Sequence, residues 1–271
     1  MARDLRQGAD IAWQTFGHGE RPALAIHCTL GNSKLWSEAL MPLAAQINAI
    51  GFDQPGHGQS APWRGDPAES GAFQTLVTRI AASFIERPVD LIGHSFGASV
   101  ALRIAVGAPE AVRSLTLIEP VLFAALPESD PEWIALRKKQ DHFEAMMAAG
   151  DHEAAARGFM RDWGTGQPWE SYTESQRARF IATMPMVENI SRANFEDPAG
   201  IARDGGIEAI DAPVMIIHGD RSPPTMPRVA EAIAARLSDV GVACIRDAGH
   251  MLPATHAAQC ADLIGANLER S

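Results

Sequence analysis

The stretch "LIGHSFGASVAL" (91–102) sets a serine between two glycines, Gly93-His94-Ser95-Phe96-Gly97. A serine hydroxyl is a weak nucleophile until an imidazole takes its proton; it then attacks carbonyl carbon. The five-residue pattern alone is common, because Gly and Ser are common, and context gives it weight. A buried apolar run, "VDLIGHS" (89–95), precedes it, and a helical pattern, "FGASVALRIAVGAPEAV" (96–112), follows. A sharp strand-to-helix turn demands small neighbours, so that the strained backbone fits and Oγ stands clear. Gly93 and Gly97 meet that demand, and Ala98 and Ser99 keep the helix start slim. The N-terminus of that helix turns free N–H groups and the positive end of its dipole toward a developing oxyanion.

The elements that must hold this serine repeat along the chain. "ALAIHC" (23–28), "INAIGFD" (47–53), "VDLIGHS", "LTLIEP" (115–120), "VMIIHGD" (214–220) and "VACIRDAG" (242–249) are short, near-continuous apolar runs. Such runs fit parallel strands covered on both faces, and helical stretches such as "PRVAEAIAARLSDVG" (227–241) alternate with them. The pattern predicts a doubly wound α/β sheet, with "IAWQTFG" (11–17) as a further antiparallel strand. Between 121 and 205 the strands stop and the pattern is helical. This segment carries half of the ten methionines and half of the six tryptophans, a composition suited to an adaptable apolar surface over a pocket. The expected organisation is a core of 1–120 and 206–271 with a helical cap at 121–205, in which Trp133 and Trp163 wall the pocket.

Ser95 in its elbow, "FDQPGHGQS" (52–60) and "DAGHMLP" (247–253) together resemble the α/β-hydrolase family, over nearly the whole chain and least through the helical segment. The resemblance implies a mostly parallel, eight-stranded-type sheet and acyl transfer to water without a cofactor. It also implies His250 as the base, last in the order Ser…acid…His. Two backbone N–H groups would hold the oxyanion: that of Phe96, directly after the serine, and that of Thr29. The latter lies in "HCTLGNS" (27–33), which resembles the family's His-Gly-x-x-Gly turn but has Cys28 where Gly is usual. Relatives that dehalogenate or open epoxides carry Asp at the elbow, so Ser95 argues against both reactions. His94 is expected to point away from the serine, and His27, His57 and His218 to hold loop backbone.

The acid departs from the family pattern. Matching the usual Gly-Asp-x-Asp turn onto Gly219-Asp220-Arg221-Ser222 puts Ser222 at the acid's place, and serine cannot carry the charge. Two carboxylates can substitute: Asp220, close by in sequence, and Glu119, which ends the strand "LTLIEP". An unpaired Glu at an apolar strand end is costly to bury, and His250 would be its partner. Glu119 is therefore the preferred acid and Asp220 the alternative.

Composition bounds the rest. The formal net charge of −10, with no dense basic run, argues against nucleic acid and anionic membranes as partners. Three scattered cysteines fit a reducing, cytoplasmic setting, and no apolar leader or membrane span is visible. Gly56–Ala61 matches a loose dinucleotide fingerprint, but Pro62 follows at once and no helix opens, so it reads as a turn. No metal-ligand spacing is present, and no metal or cofactor is expected. The combined expectation is a serine hydrolase of esters or thioesters acting on a small-molecule acyl substrate, as a monomer or homodimer. Lactone or C–C bond hydrolysis by the same residues is the alternative chemistry, and a non-catalytic binding protein the alternative class.

Overall fold

The computed structural model describes residues 1–271. Eight strands form one sheet: β1 (Ala2–Arg6), β2 (Ala9–Phe16), β3 (Arg21–Ile26), β4 (Ile47–Phe52), β5 (Val89–His94), β6 (Val112–Ile118), β7 (Val214–Gly219) and β8 (Val240–Ile245). Their spatial order is β1-β2-β4-β3-β5-β6-β7-β8. β2 runs antiparallel to both of its neighbours, β1 and β4, and all the other neighbouring pairs are parallel. Nine α-helices accompany them: α1 (Ser37–Leu40), α2 (Ala72–Ala82), α3 (Phe96–Gly107), α4 (Pro131–Ala148), α5 (His152–Trp163), α6 (Glu174–Glu196), α7 (Thr225–Ala234), α8 (Leu252–Thr255) and α9 (Ala257–Leu268).

Strand residues alternate between two apolar cores, as a pleated strand requires. Leu24 and Ile26 of β3 and Val214 and Ile216 of β7 face the larger core, with α2, α3 and α7. Ala23, Ala25, Met215 and Ile217 face the other, with α1 and α9. Covering both faces is what makes the central strands near-continuous in apolar residues. At the edges the pattern is weaker: β1, "ARDLR", is polar and mostly exposed, and its residues alone predict no strand. β8 starts two residues earlier than its apolar run and stops at Ile245, because Asp247 takes a left-handed φ of 61°.

β3 is the turning point of the topology. From it the chain moves to β4 on one side and then to β5 on the other, opening a crevice beyond the carboxyl ends of β3 and β5. The segment from 121 to 205 contains no strand; it holds α4, α5 and α6 and two short 3₁₀ turns. It builds a small apolar cluster of its own around Phe143, Trp169, Phe180 and Met184. Met186 and Ile190 of α6 nevertheless pack into the larger core. Asn189 fixes this helix further: its Nδ2 donates to the carbonyls of Pro67 and Glu69, at 2.9 and 2.6 Å, and its Oδ1 accepts from Phe73 N–H. No helix is long and apolar enough to cross a membrane.

Candidate active site

Ser95 stands between β5 and α3 with φ 56° and ψ −120°, a conformation non-glycine residues rarely hold. Its neighbours show why the elbow needs glycine. A Cβ on Gly93 would lie 2.4 Å from the Gly97 carbonyl oxygen, and one on Gly97 would lie 2.1 Å from that of Ile26. The elbow therefore closes tightly on β3, beside the crevice.

His250 Nε2 lies 2.9 Å from Ser95 Oγ, and His250 Nδ1 lies 2.8 Å from Glu119 Oε2. With Nδ1–H donating to the carboxylate, Nε2 is left to accept the serine proton. Glu119 is fully buried. Its second oxygen, Oε1, accepts from Gly219 N–H at 2.8 Å and from Ser222 Oγ–H at 2.7 Å. Ser222, the residue at the family's usual acid position, is thus a donor to the carboxylate one strand away. β6 and β7 are paired neighbours, Ile118 opposite Ile217, so the longer Glu side chain needs to span only one strand spacing. Asp220 is exposed and makes no side-chain hydrogen bond; its backbone N–H bonds Ile245 instead. The geometry brings Glu119, and not the alternative Asp220, to His250. Gly219 permits the approach, since a Cβ there would meet the Ala248 carbonyl oxygen at 2.0 Å.

The loop after β3 is held by buried imidazoles. His27 Nδ1–H donates to Cys28 O at 2.7 Å while its Nε2 accepts from Gln54 N–H at 3.0 Å. His57 Nδ1–H donates to Pro55 O, and its Nε2 accepts from Leu30 N–H at 3.0 Å. Asp53 takes Ser33 N–H and Gln59 N–H on its two oxygens. Leu30 is held at φ 62°, and the turn closes through Gly31 N–H on Cys28 O. Thr29 is left lining the cavity with Ser95 and His250, and neither its N–H nor that of Phe96 meets an acceptor in the surrounding loops. Cys28 lines the same cavity, but burial pushes its thiol up to about 12, which suits a wall and not a nucleophile. The loop at 56–61 is a tight turn, with Gly58 at φ 51° and no helix opening from it.

His94 does more than point away. Its Nε2–H donates to the backbone carbonyl of His250 at 2.8 Å, and the two rings lie 5.3 Å apart. Nothing in "GHSFG" signals this contact, which joins residues 156 positions apart. Trp163, at the end of α5, meets the His250 ring edge-on at 4.9 Å. It lines a cavity of about 310 Å³ that opens at Ser95. Trp133 does not reach the cavity; it packs against Phe195 from behind.

Residues 23–263 match the model of the alpha/beta hydrolase family. The chain belongs to that family. It is 27% identical to the pimeloyl-[acyl-carrier protein] methyl ester esterase of Methylococcus capsulatus, over 93% of this chain and 95% of that one. It is 25% identical to Lipase LipV of Mycobacterium tuberculosis, over 96% and 98%. A shorter match, 32% identical over 43% of this chain, spans only 31% of the dihydrolipoyllysine-residue acetyltransferase component of the acetoin cleaving system of Cupriavidus necator. Among solved structures, a thermophilic esterase from Thermogutta terrifontis superposes with a TM-score of 0.69 at 20% identity, over 99% of this chain and 98% of that one. The haloalkane dehalogenase DbeA from Bradyrhizobium elkani reaches 0.72 at 18%, over 100% and 99%. At such identities these two structures speak for the fold alone.

Burial holds three histidines around the site well below their usual range, His27 at about 4 and His57 and His94 at about 3. All three stay neutral when folded, as His27 and His57 must in order to accept backbone N–H groups. The unfolded chain binds protons on these rings from about pH 6.5 downward while the native chain does not, so stability falls as pH drops from about 6.5 toward 4. Melting temperatures measured across that range should decline, and His57→Gln should flatten the decline.

Proposed function

We propose that this hydrolase cleaves carboxylic esters or thioesters through a covalent acyl-enzyme, with Ser95 as nucleophile, His250 as base and Glu119 as acid. The observation that carries the reading is the unbroken hydrogen-bond line from Glu119 through His250 to Ser95 at the floor of a largely apolar cavity. Ser95 Oγ attacks the acyl carbon as His250 Nε2 takes its proton. The N–H groups of Thr29 and Phe96 hold the oxygen that becomes negative. His250 then gives the proton to the leaving alcohol or thiol. A water, deprotonated by the same imidazole, cleaves the acyl-enzyme and restores Ser95–OH. Glu119 keeps the imidazole in the productive tautomer and stabilises its cation.

The relatives named as an ester esterase and a lipase, matched along almost their whole length, support ester chemistry. The dehalogenase likeness does not extend to dehalogenation here, because the elbow carries Ser95 and not a carboxylate. Residues 121–205 act as a cap in this reading, the remainder as the catalytic core, and the ligand is a small acyl compound. Trp163 shields the base from bulk water.

A fluorophosphonate probe should label the protein at Ser95 and leave Ser95→Ala unlabelled; absence of labelling in the wild type would identify a binding protein on a hydrolase scaffold. Glu119→Gln should lower kcat by about 10⁴-fold, by analogy with loss of the acid in other triads. Asp220→Asn should stay near wild type, and the reverse ranking would refute the assignment. Trp163→Ala should change the acyl-length profile across an ester panel, whereas Trp133→Ala should leave its shape unaltered.

A further inference from the structure

The cavity that opens at Ser95 also reaches the surface, and charge marks where. Ser95 and His250 are buried at its floor, and Phe123, Leu136, Val187 and Ile190 are buried in its walls. Only four of the lining residues are exposed: Lys138, Lys139 and His142 on α4, and Arg161 on α5. The mouth therefore lies between α4 and α5. The seam of these helices is open there, since a Cβ on Gly158 of α5 would meet only Met146 Cε, at 3.9 Å. Contacts tie the mouth to the reacting centre. Trp163 covers the His250 ring, and the residue before it, Asp162, lies 3.8 Å from Lys139 Nζ and 2.7 Å from Arg161 Nε.

Lys138, Lys139 and Arg161 meet a single lining carboxylate at this mouth, that of Asp162. Arg161 is bound to it, and Lys139 shares it at the longer distance. Lys138 has no ion-pair or hydrogen-bond partner in the protein; the nearby acids of its own helix, Asp141 and Glu144, are both held by Arg137. On a chain of formal net charge −10, the mouth is a local excess of positive charge, which draws anions. It also gathers two of the chain's three lysines. An ammonium on a mobile stem suits a charge at the end of a flexible ligand, where arginine's planar fork would demand a fixed partner. We propose that this mouth binds an anionic group, a carboxylate or a phosphate, that the substrate carries at an end remote from the reacting carbonyl, so that the enzyme prefers anionic esters or thioesters to neutral ones. The buried apolar walls take the carbon chain in between. The inference rests on the reading of the cavity as the substrate site, and its test is kept separate from turnover.

The test is calorimetric binding to the full-length Ser95→Ala protein, on which esters stay intact, with two sets of matched probes. One set compares monoethyl esters of straight-chain dicarboxylic acids with the neutral diethyl esters of the same acids. The other compares alkanoyl esters of ω-phosphoalkanols with those of the corresponding ω-hydroxyalkanols. In at least one set the charged probe should bind about fivefold tighter at low salt, the yield of one exposed ion pair. The set that responds distinguishes a carboxylate on the acyl side from a phosphate on the leaving-group side. Lys138→Glu in the same background should erase the gap, Lys138→Arg should keep it, and salt at about 0.5 M should remove most of it. Lys138 holds no partner within the protein, so both substitutions leave the fold, and with it the neutral probe's affinity, unchanged. Equal affinity within both sets, a gap that survives Lys138→Glu, or an equal loss of charged and neutral probes overturns the proposal. Failure of the wild type to react with a fluorophosphonate would instead sink the hydrolase reading and leave this binding comparison intact.

Discussion

The carboxyl group of Glu119 is the junction on which the site depends. It is fully buried, and its oxygens meet three donors: the ring of His250, the amide of Gly219 and the hydroxyl of Ser222. Those donors come from the last residue of β7 and from the loops after β7 and β8, so one carboxyl group fastens the ends of three adjacent strands. Removing the ring of His250 leaves the buried Oε2 unpaired, and removing either of the other two donors leaves the buried Oε1 with one hydrogen bond in place of two. Ser222 matters for this reason. A serine at the family's usual acid position supplies the donor that a carboxylate arriving from the neighbouring strand requires.

Backbone strain gathers at the same place. Of the six non-glycine residues with left-handed φ, four lie in the loops that build the site: Leu30, Ser95, Glu119 and Asp247. Conformations of this kind cost on the order of 1–3 kcal/mol each and persist only where their surroundings over-determine them. The surroundings do so here. Ser95 N–H is held by Ile118 O, Glu119 N–H by Ile217 O, and Leu30 N–H by His57, while Arg221 pairs with Asp247. The strain gathers just beyond the carboxyl ends of β3, β5, β6 and β8, and the rigid sheet beneath supplies the opposing force.

The helical segment completes the enclosure. Trp163 covers one edge of the imidazole, and α6 is pinned to the loop at 67–73 through Asn189, so its cavity-facing side chains sit on a fixed element. Apolar walls lower the local dielectric, which strengthens the hydrogen bonds around Ser95.

The strands other than β1, their alternation with helices, the serine elbow and the place of His250 were legible in the chain, because each is written in short runs of residues. The break at Gly219-Asp220-Arg221-Ser222 even pointed toward Glu119 as the substitute carboxylate. Tertiary structure alone decided which carboxyl group meets the imidazole, since Asp220 and Glu119 are separated only by the register of β6 against β7 and by which way each side chain leaves its turn. It also decided that Ser222 and His94 would serve the site, that Trp163 and not Trp133 would reach the cavity, and that the exposed run "ARDLR" would be a strand. The physical reason is shared. Periodicity records which face of an element is buried, whereas contacts between residues 100 to 156 positions apart exist only once parallel strands set their loops side by side.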